Sequence, residues 1–346
     1  METKIHTLLL NLDWELLSSI RQLDKVDYSW MEITKREVKT LKQLKSIATV
    51  QSVGASTRIE GSKMSDDEVE DFLKAIDITR LEDRDSQEVA GYFDVLELIN
   101  DSHDTIDITE SGLKNLHNQL LKYCLKDKWH KGKYKQHSNA VEANFANGTK
   151  QIIFQTTPPS FETEDAMRSL VEWYNQDNIT HPLVKAALFS YEFVSIHPFQ
   201  DGNGRLSRLL LNLLLLQNGY AWIKYLSIEH EIEKRKTEYY RVLRGCQSQR
   251  PNENITEWIK FIFDIVEKTS VELLEKLKQT EENIKLSASE KSILLYIKLH
   301  PGSKSGEMAN ALKIPNPTVK RKLTQMVNKN LIEKLGAGAG TNYTVK

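Results

Sequence analysis

Between Arg205 and Asn218 the chain reads RLSRLLLNLLLLQN, a helix-length run made mostly of leucine. Helical spacing sets Arg205, Arg208 and Asn212 (i, i+3, i+7) on one stripe with leucine around the rest, so this helix must lie inside a core. Two guanidiniums buried near a helix end that already carries partial positive charge are costly unless anions stand opposite them. The chain is thereby constrained to a helical core built around an anion site. The run Leu209 to Leu216 is interrupted by Asn212 and falls well short of the ~20 apolar residues of a membrane span.

A length of 346 residues predicts two or three domains, and 40% hydrophobic with 27% charged residues is the composition of a folded chain, not a disordered one. Lys and Arg number 47 against 48 Asp and Glu, so the net charge of -1 directs the whole chain to neither nucleic acid nor an anionic membrane. Cys124 and Cys246 form no CxxC pair and read as reduced packing residues, without a disulfide framework or zinc cluster. The opening METKIHTLLLNLDWELL carries acids within its apolar stretch and no small-residue cleavage site. The expectation is a cytoplasmic protein with no membrane partner.

Apolar positions recur at helical spacing up to about residue 110, as in Leu41-Leu44-Ile47-Val50, and Ser65 with Glu68 forms a capping box. Between Trp129 and Ser160 a basic loop, KWHKGKYK, precedes two short segments, SNAVEANF and QIIFQTTPPS, which NGTK separates into a predicted hairpin. Helices are expected over Glu164–Tyr174, Leu183–Ser195, Arg205–Asn218 (stopped by Gly219), Glu231–Leu243 and Ile255–Lys278. A boundary is expected near Thr280–Leu286, before a second capping box at Ser287 and Glu290. Beyond it, helices Glu290–Leu299, Gly306–Leu312 and Thr318–Asn330 and a Gly-tipped strand pair spell a winged helix-turn-helix. No internal repeat of 20–50 residues is visible.

The turn into the leucine helix reads HPFQDGNGRLSR, His197 to Arg208. Gly202-Asn203-Gly204 can turn backbone N–H groups inward, which with a helix N-terminus makes a phosphate cradle. The GxxxxGK[ST] spacing of a P-loop is absent. Asp201 stands where one carboxylate beside phosphates can hold magnesium. His197 is placed to accept a proton from an incoming hydroxyl.

This stretch resembles, without departure, the HPFxDGNGRxxR signature of the Fic family, most of whose members move the AMP part of ATP onto a protein hydroxyl. The resemblance implies His197 as general base and Asp201 as the Mg2+ ligand. It implies an ATP-binding turn running from Gly202, Asn203 and Gly204 through Arg205, Leu206 and Ser207 to Arg208, with Arg205 on a phosphate and Arg208 on the γ-phosphate. Gly132-Lys133-Tyr134 and the hairpin up to Pro159 resemble the flap that aligns a target segment by strand pairing. KRKTEYYRVL resembles the adenine-lining stretch, which assigns Tyr240 and Tyr239 to the base; Gln247 stands where some relatives carry asparagine.

STRIEG, Ser56 to Gly61, resembles the inhibitory motif [S/T]xxxE[G/N] of the same family, in the subgroup that carries it before the core. Glu60 would then pair with Arg208 in place of the γ-phosphate. In the last segment, from Ser287, nine Lys and one Arg face three Glu and no Asp, with Lys320, Arg321, Lys322 and Lys329 on or near the candidate recognition helix. DNA and a protein partner, including a second copy in a homodimer, both remain open for it.

The expectation is a mainly α protein: an N-terminal helical regulatory region (1–110), a Fic helical core with a β-hairpin flap (111–280) and a C-terminal winged helix-turn-helix (281–346). It resembles an autoinhibited protein adenylyltransferase that uses ATP with Mg2+ on a Ser, Thr or Tyr hydroxyl of a protein, its own included. The alternatives are a DNA-binding regulator whose Fic core senses nucleotide, and another phosphate-ester transferase on the same fold.

Overall fold

Leucine on all but one stripe of the helix after His197 forces that helix inward, where neighbouring helices pack around it. The computed structural model describes residues 4–33, 38–75, 81, 83–144, 150–284, 286–329, 331–336 and 338–345. Helices α1 (Trp14–Ile33), α2 (Val38–Ile59), α3 (Asp66–Lys74), α4 (Arg84–Ser102) and α5 (Glu110–Leu120) precede an antiparallel hairpin of β1 (Ala140–Asn144) and β2 (Lys150–Gln155). There follow α6 (Phe161–Gln176), α7 (Pro182–Ile196), α8 (Asn203–Gln217), α9 (Ile228–Lys234), α10 (Lys236–Gln247) and α11 (Thr256–Ile284). The chain divides into two compact units, Met1–Leu273 and Leu274–Lys346.

In the first unit α8 is the axis. Leu206, Leu209, Leu210, Leu213 and Leu214 are fully buried, and α7, α4, α5 and α2 pack around them. Each such leucine contributes about 1.5–3 kcal/mol relative to an exposed one. Helix α7 starts on Pro182, whose fixed φ suits a first turn, and is itself buried along nearly its whole length. Helix α8 stops at Gly219, with φ +95, as its sequence predicts. The capping box of α3 forms as expected: Ser65 Oγ accepts from the Glu68 N–H, and the Ser65 N–H donates to Glu68 Oε2 at 2.8 Å.

The hairpin pairs Ala140 with Gln155 and Asn144 with Lys150, and a register shift between Val141 and Glu142 marks a bulge. The predicted turn at Asn147–Thr149 lies outside the described residues. Two expectations change. The helix expected over Glu231–Leu243 is two helices, α9 and α10, broken at Arg235 (φ −108, ψ 27), whose side chain is held by Glu238 and Asp264. The polar stretch near Thr280 is helical as far as Ile284, because Gln, Glu and Lys are good helix formers and no Gly or Pro interrupts them.

In the second unit α12 (Ala288–Leu299), α13 (Ser305–Leu312) and α14 (Asn316–Asn328) are followed by the antiparallel strands β3 (Ile332–Leu335) and β4 (Asn342–Val345). Ile293, Ile297, Met308, Val319, Leu323 and Met326 form its core. The Ser287 N–H donates to Glu290 Oε2 at 2.7 Å, completing the capping box of α12. No described helix is long and apolar enough to cross a membrane.

Helix α4 approaches α5 through Gly91, where an added Cβ would meet Leu120 O at 2.0 Å. Gly91→Ala is therefore expected to destabilise the protein by about 1–3 kcal/mol. Chemical denaturation checks this; an unchanged midpoint would mean that the two helices part freely.

Candidate active site

Helix α7 ends on His197 in the left-handed region (φ 54, ψ 58), a conformation usually given to glycine at a helix C-terminus. The turn that follows is tied down from several sides. Asn203 Oδ1 accepts from the Phe199 N–H at 2.9 Å and its Nδ2 donates to Phe199 O at 2.8 Å. Phe199 stacks on His117 with ring centroids 3.8 Å apart. His117 Nδ1 accepts from the Gly132 N–H at 2.9 Å, which leaves Nε2–H to donate to Asp201 O at 3.0 Å.

His197 Nδ1 lies 3.3 Å from Val194 O. With Nδ1–H as that donor, Nε2 keeps its lone pair. Burial pulls the His197 pKa down to about 4, with the nearby Lys135 charge adding in the same direction, so the ring is neutral at physiological pH and able to accept a proton.

Arg208 is 3% exposed on α8 and bonds almost entirely to the end of α2. Its Nε donates to Ser56 Oγ at 2.8 Å, and Nη2 donates to Ser56 O at 3.0 Å and Glu60 Oε1 at 2.8 Å. Burial alone would lower the arginine's pKa; the Glu60 carboxylate opposes that and holds it above its ordinary value. The same carboxylate rests over the first turn of α8, where a Cβ on Gly204 would stand 2.3 Å from Glu60 Oε1. Gly61, at φ +113, turns the chain away immediately afterwards.

Arg205, also buried, faces Glu88 Oε2 at 3.2 Å and Asp201 Oδ2 at 3.4 Å, while its Nε has no hydrogen-bond partner among the described residues. Asp201 Oδ1 accepts from the Gly202 N–H at 2.6 Å and Oδ2 from Arg84 Nη2 at 2.6 Å. Burial would raise the Asp201 pKa, but Arg205, the Gly202 N–H and Arg84 outweigh it, and the carboxyl is held below its ordinary range.

Glu60, His197, Gly204, Arg208, Tyr239 and Tyr240 border one cavity of about 120 Å³. That is below the ~300–1,000 Å³ of ready-made ligand pockets. Tyr239 is buried and packs on Trp258 at 5.6 Å between centroids, while Tyr240 is half-buried beside the Arg244 guanidinium. Leu206 and Ser207 turn away: Leu206 is in the core and Ser207 Oγ donates to Ser190 O at 3.0 Å, so neither side chain reaches the cavity. The Asn203 side chain is likewise occupied in bracing the turn.

Sequence reasoning missed His117, Arg84 and Glu88. A histidine on an apolar helix face, as in LKNLHNQLL, was the one available signal for His117. The other two reach the site only through tertiary packing.

Burial lowers the pKa of His117, like that of His197, to about 4, below the ordinary 6.5. The unfolded chain then binds more protons between those values, so the stability these rings permit is complete above about pH 6.5 and is lost as pH falls towards 4. Melting temperature measured from pH 7 to 4 should fall, and His117→Gln should flatten part of that fall; an identical pH profile would contradict a buried neutral His117.

Residues 107–215 match the family model described as "Fic/DOC family". The chain is 28% identical over 236 residues to "Protein adenylyltransferase Fic" of Drosophila grimshawi, covering 66% of this chain and 44% of that protein. It is 29% identical over 235 residues to the protein of the same name from Drosophila melanogaster, covering 66% and 43%. The chain thus spans less than half the length of these curated relatives. Among solved structures, a Fic family protein from Desulfovibrio desulfuricans G20 aligns with a TM-score of 0.65 at 21% identity over 98% of both chains. A Fic domain containing signaling protein from Bacteroides thetaiotaomicron VPI-5482 aligns with a TM-score of 0.60 at 24% identity over 75% of this chain and 97% of that one. Residues 107–215 therefore match a Fic/DOC-family domain, and the mainly helical fold around them is one that solved Fic proteins share.

Proposed function

We propose that this chain is an autoinhibited protein adenylyltransferase, moving AMP from ATP to a Ser, Thr or Tyr hydroxyl of a protein, its own included. The observation that carries this is the Glu60 carboxylate seated on Arg208 over the first turn of α8: an internal anion in a cradle suited to phosphate. The Nε of buried Arg205, without a hydrogen-bond partner among the described residues, is a further donor that an arriving phosphate oxygen would satisfy. Relatives described as protein adenylyltransferases, 28–29% identical over 66% of this chain, support the reading.

In this account His197 Nε2 takes the proton of the target hydroxyl as its oxygen attacks the α-phosphorus, and pyrophosphate leaves. Arg205 and the Gly202–Gly204 turn, through N–H groups other than the Gly202 one that Asp201 accepts from, hold phosphate oxygens, Arg208 binds the γ-phosphate, and Tyr240, with Tyr239 behind it, lines the base. Asp201 is the residue that would hold Mg2+, which would neutralise charge on the phosphates. An ionised lone carboxylate fits that role, because most of a magnesium shell is phosphate oxygen and water, and no three-residue ligand cluster exists among the described residues. With Glu60 in place, the γ-phosphate and the carboxylate compete for one guanidinium. The hairpin β1–β2 would align the target segment as a flap.

Residues 1–110 form the regulatory region in this reading, 111–280 the catalytic core and 281–346 a winged helix-turn-helix. Lys322 of α14 lies 3.3 Å from Glu290, and Lys329, just past the end of that helix, 3.9 Å from it, which leaves exposed Lys320 and Arg321 as the cations of α14 with no ion pair among the described residues. Two phosphate contacts would give a salt slope of only about −2 on a log–log plot, well short of strong DNA binders. A gel shift across salt concentrations tests this; a slope steeper than about −5 would favour the DNA-regulator alternative.

Glu60→Gly should raise self-labelling from ATP carrying its label at the α-phosphate by about tenfold or more. His197→Ala on that background should lower it by about 10²–10⁴-fold. Label retained only from the γ-position would instead establish a kinase-like transfer, and equal labelling with and without His197 would remove it as the base.

A further inference from the structure

Lys135 is a buried cation whose charge lowers the His197 pKa and to which no further role has been given. It is 2% exposed, and among the described residues no carboxylate pairs with it. Its ammonium has three donors and uses all of them on neutral acceptors: Asn139 Oδ1 at 2.9 Å, Thr156 Oγ1 at 2.9 Å and Ile196 O at 3.2 Å. Simple packing would place a methionine or leucine here, since an unpaired buried charge is costly.

The acceptors explain the cost. Asn139 immediately precedes β1 and Thr156 immediately follows β2, so they are the two feet of the hairpin, joined by a Thr156 Oγ1 bond to Asn139 O at 2.7 Å. Ile196 immediately precedes His197. The Lys135 backbone N–H donates to Pro198 O at 2.8 Å, and Asn139 Nδ2 donates to Phe199 O at 2.9 Å. Carbonyls on both sides of the strained His197 are thus held by groups at the base of the hairpin. A residue in the left-handed region persists only where its surroundings overdetermine it.

We propose that Lys135 is a positioning residue that couples the stance of hairpin β1–β2 to the orientation of His197, so that a segment aligned on the hairpin meets a base held in register. This rests on reading His197 as the base and the hairpin as the flap. The charged groups that face His197 are Lys135 from the loop before β1, Glu60 from the end of α2 and Asp201 from its own turn, with Arg208 and Arg244 bordering the same cavity. Burial holds the Lys135 pKa down at about 8, so the ammonium is charged at neutral pH.

The test uses the full chain with Glu60→Gly, alone and combined with Lys135→Met, Lys135→Arg or Asn139→Ala. Two readouts need no turnover: an NMR titration of the His197 imidazole and hydrogen exchange of the β1 and β2 amides. Lys135→Met should move the imidazole pKa upward from about 4 and speed hairpin exchange by about tenfold. Lys135→Arg keeps the charge and should keep the low imidazole pKa. Self-labelling by Lys135→Met should fall at least about tenfold through kcat, with ATP affinity within about twofold of its parent. If Lys135→Met does not fold, Asn139→Ala carries the exchange measurement and Lys135→Arg the titration. Unchanged imidazole titration and unchanged hairpin exchange in Lys135→Met would overturn the proposal, whatever the labelling does. Labelling that survives His197→Ala would defeat the base assignment instead, and leaves both solution readouts interpretable.

Discussion

The contact on which the site depends is the ion pair between Glu60 and Arg208. A guanidinium inside a leucine core requires an anion, and the chain supplies its own from the end of α2. That location is poor for a carboxylate, since the partial charge at a helix C-terminus is negative. Cations compensate: Arg58 bonds Glu233 and Asp66 and donates to Met64 O, and Lys236 Nζ donates to Ile59 O at 2.6 Å. The end of α2 is therefore pinned to α9 and α10 on one side and to α8 on the other. Gly204, lacking a Cβ, leaves the space that the carboxylate enters. A small cavity is the consequence, bordered by Tyr239 and Tyr240 and by the Glu60–Arg208 pair.

Around that pair the fold spends stability on polar groups in dry places. His197 is held in a backbone conformation that disfavours it, His117 is buried and neutral, and, among the described residues, Arg205 Nε finds no hydrogen-bond partner and Lys135 no counter-charge. Each is unfavourable for packing alone, and all lie on or beside the α7–α8 turn. Broken local rules gathered on and beside one turn are the pattern expected where function, not stability, sets the residues. The leucines of α8 provide the rigidity that lets the turn keep this geometry.

Much of this was legible in the sequence for a simple reason. The leucine run with its cationic stripe, the Gly-Asn-Gly turn and the capping boxes are local patterns, and local patterns determine helix ends and buried faces. The hairpin was readable from its flanking turn chemistry. Other features were not local. The break at Arg235 depends on a side chain reaching Asp264, and the grip of Arg84 on Asp201 joins residues 117 positions apart. The stripe argument gave the need for anions opposite Arg205 and Arg208, but not that Glu88 and Glu60 stand there in the resting chain; Glu60 came from the motif resemblance alone. The directions of the Leu206 and Ser207 side chains, into the core and onto Ser190 O, were not legible either, because adjacency in a motif does not say which way a helical side chain faces.

The central claim is that Glu60 occupies the place of one particular phosphate. Calorimetric dissociation constants for ATP and for ADP, each with magnesium, in the unmodified chain and in Glu60→Gln, test it most directly. The account predicts that ATP tightens by about tenfold or more on losing the carboxylate charge while ADP changes by less than about twofold. Equal tightening for both nucleotides, or none for ATP, would contradict it.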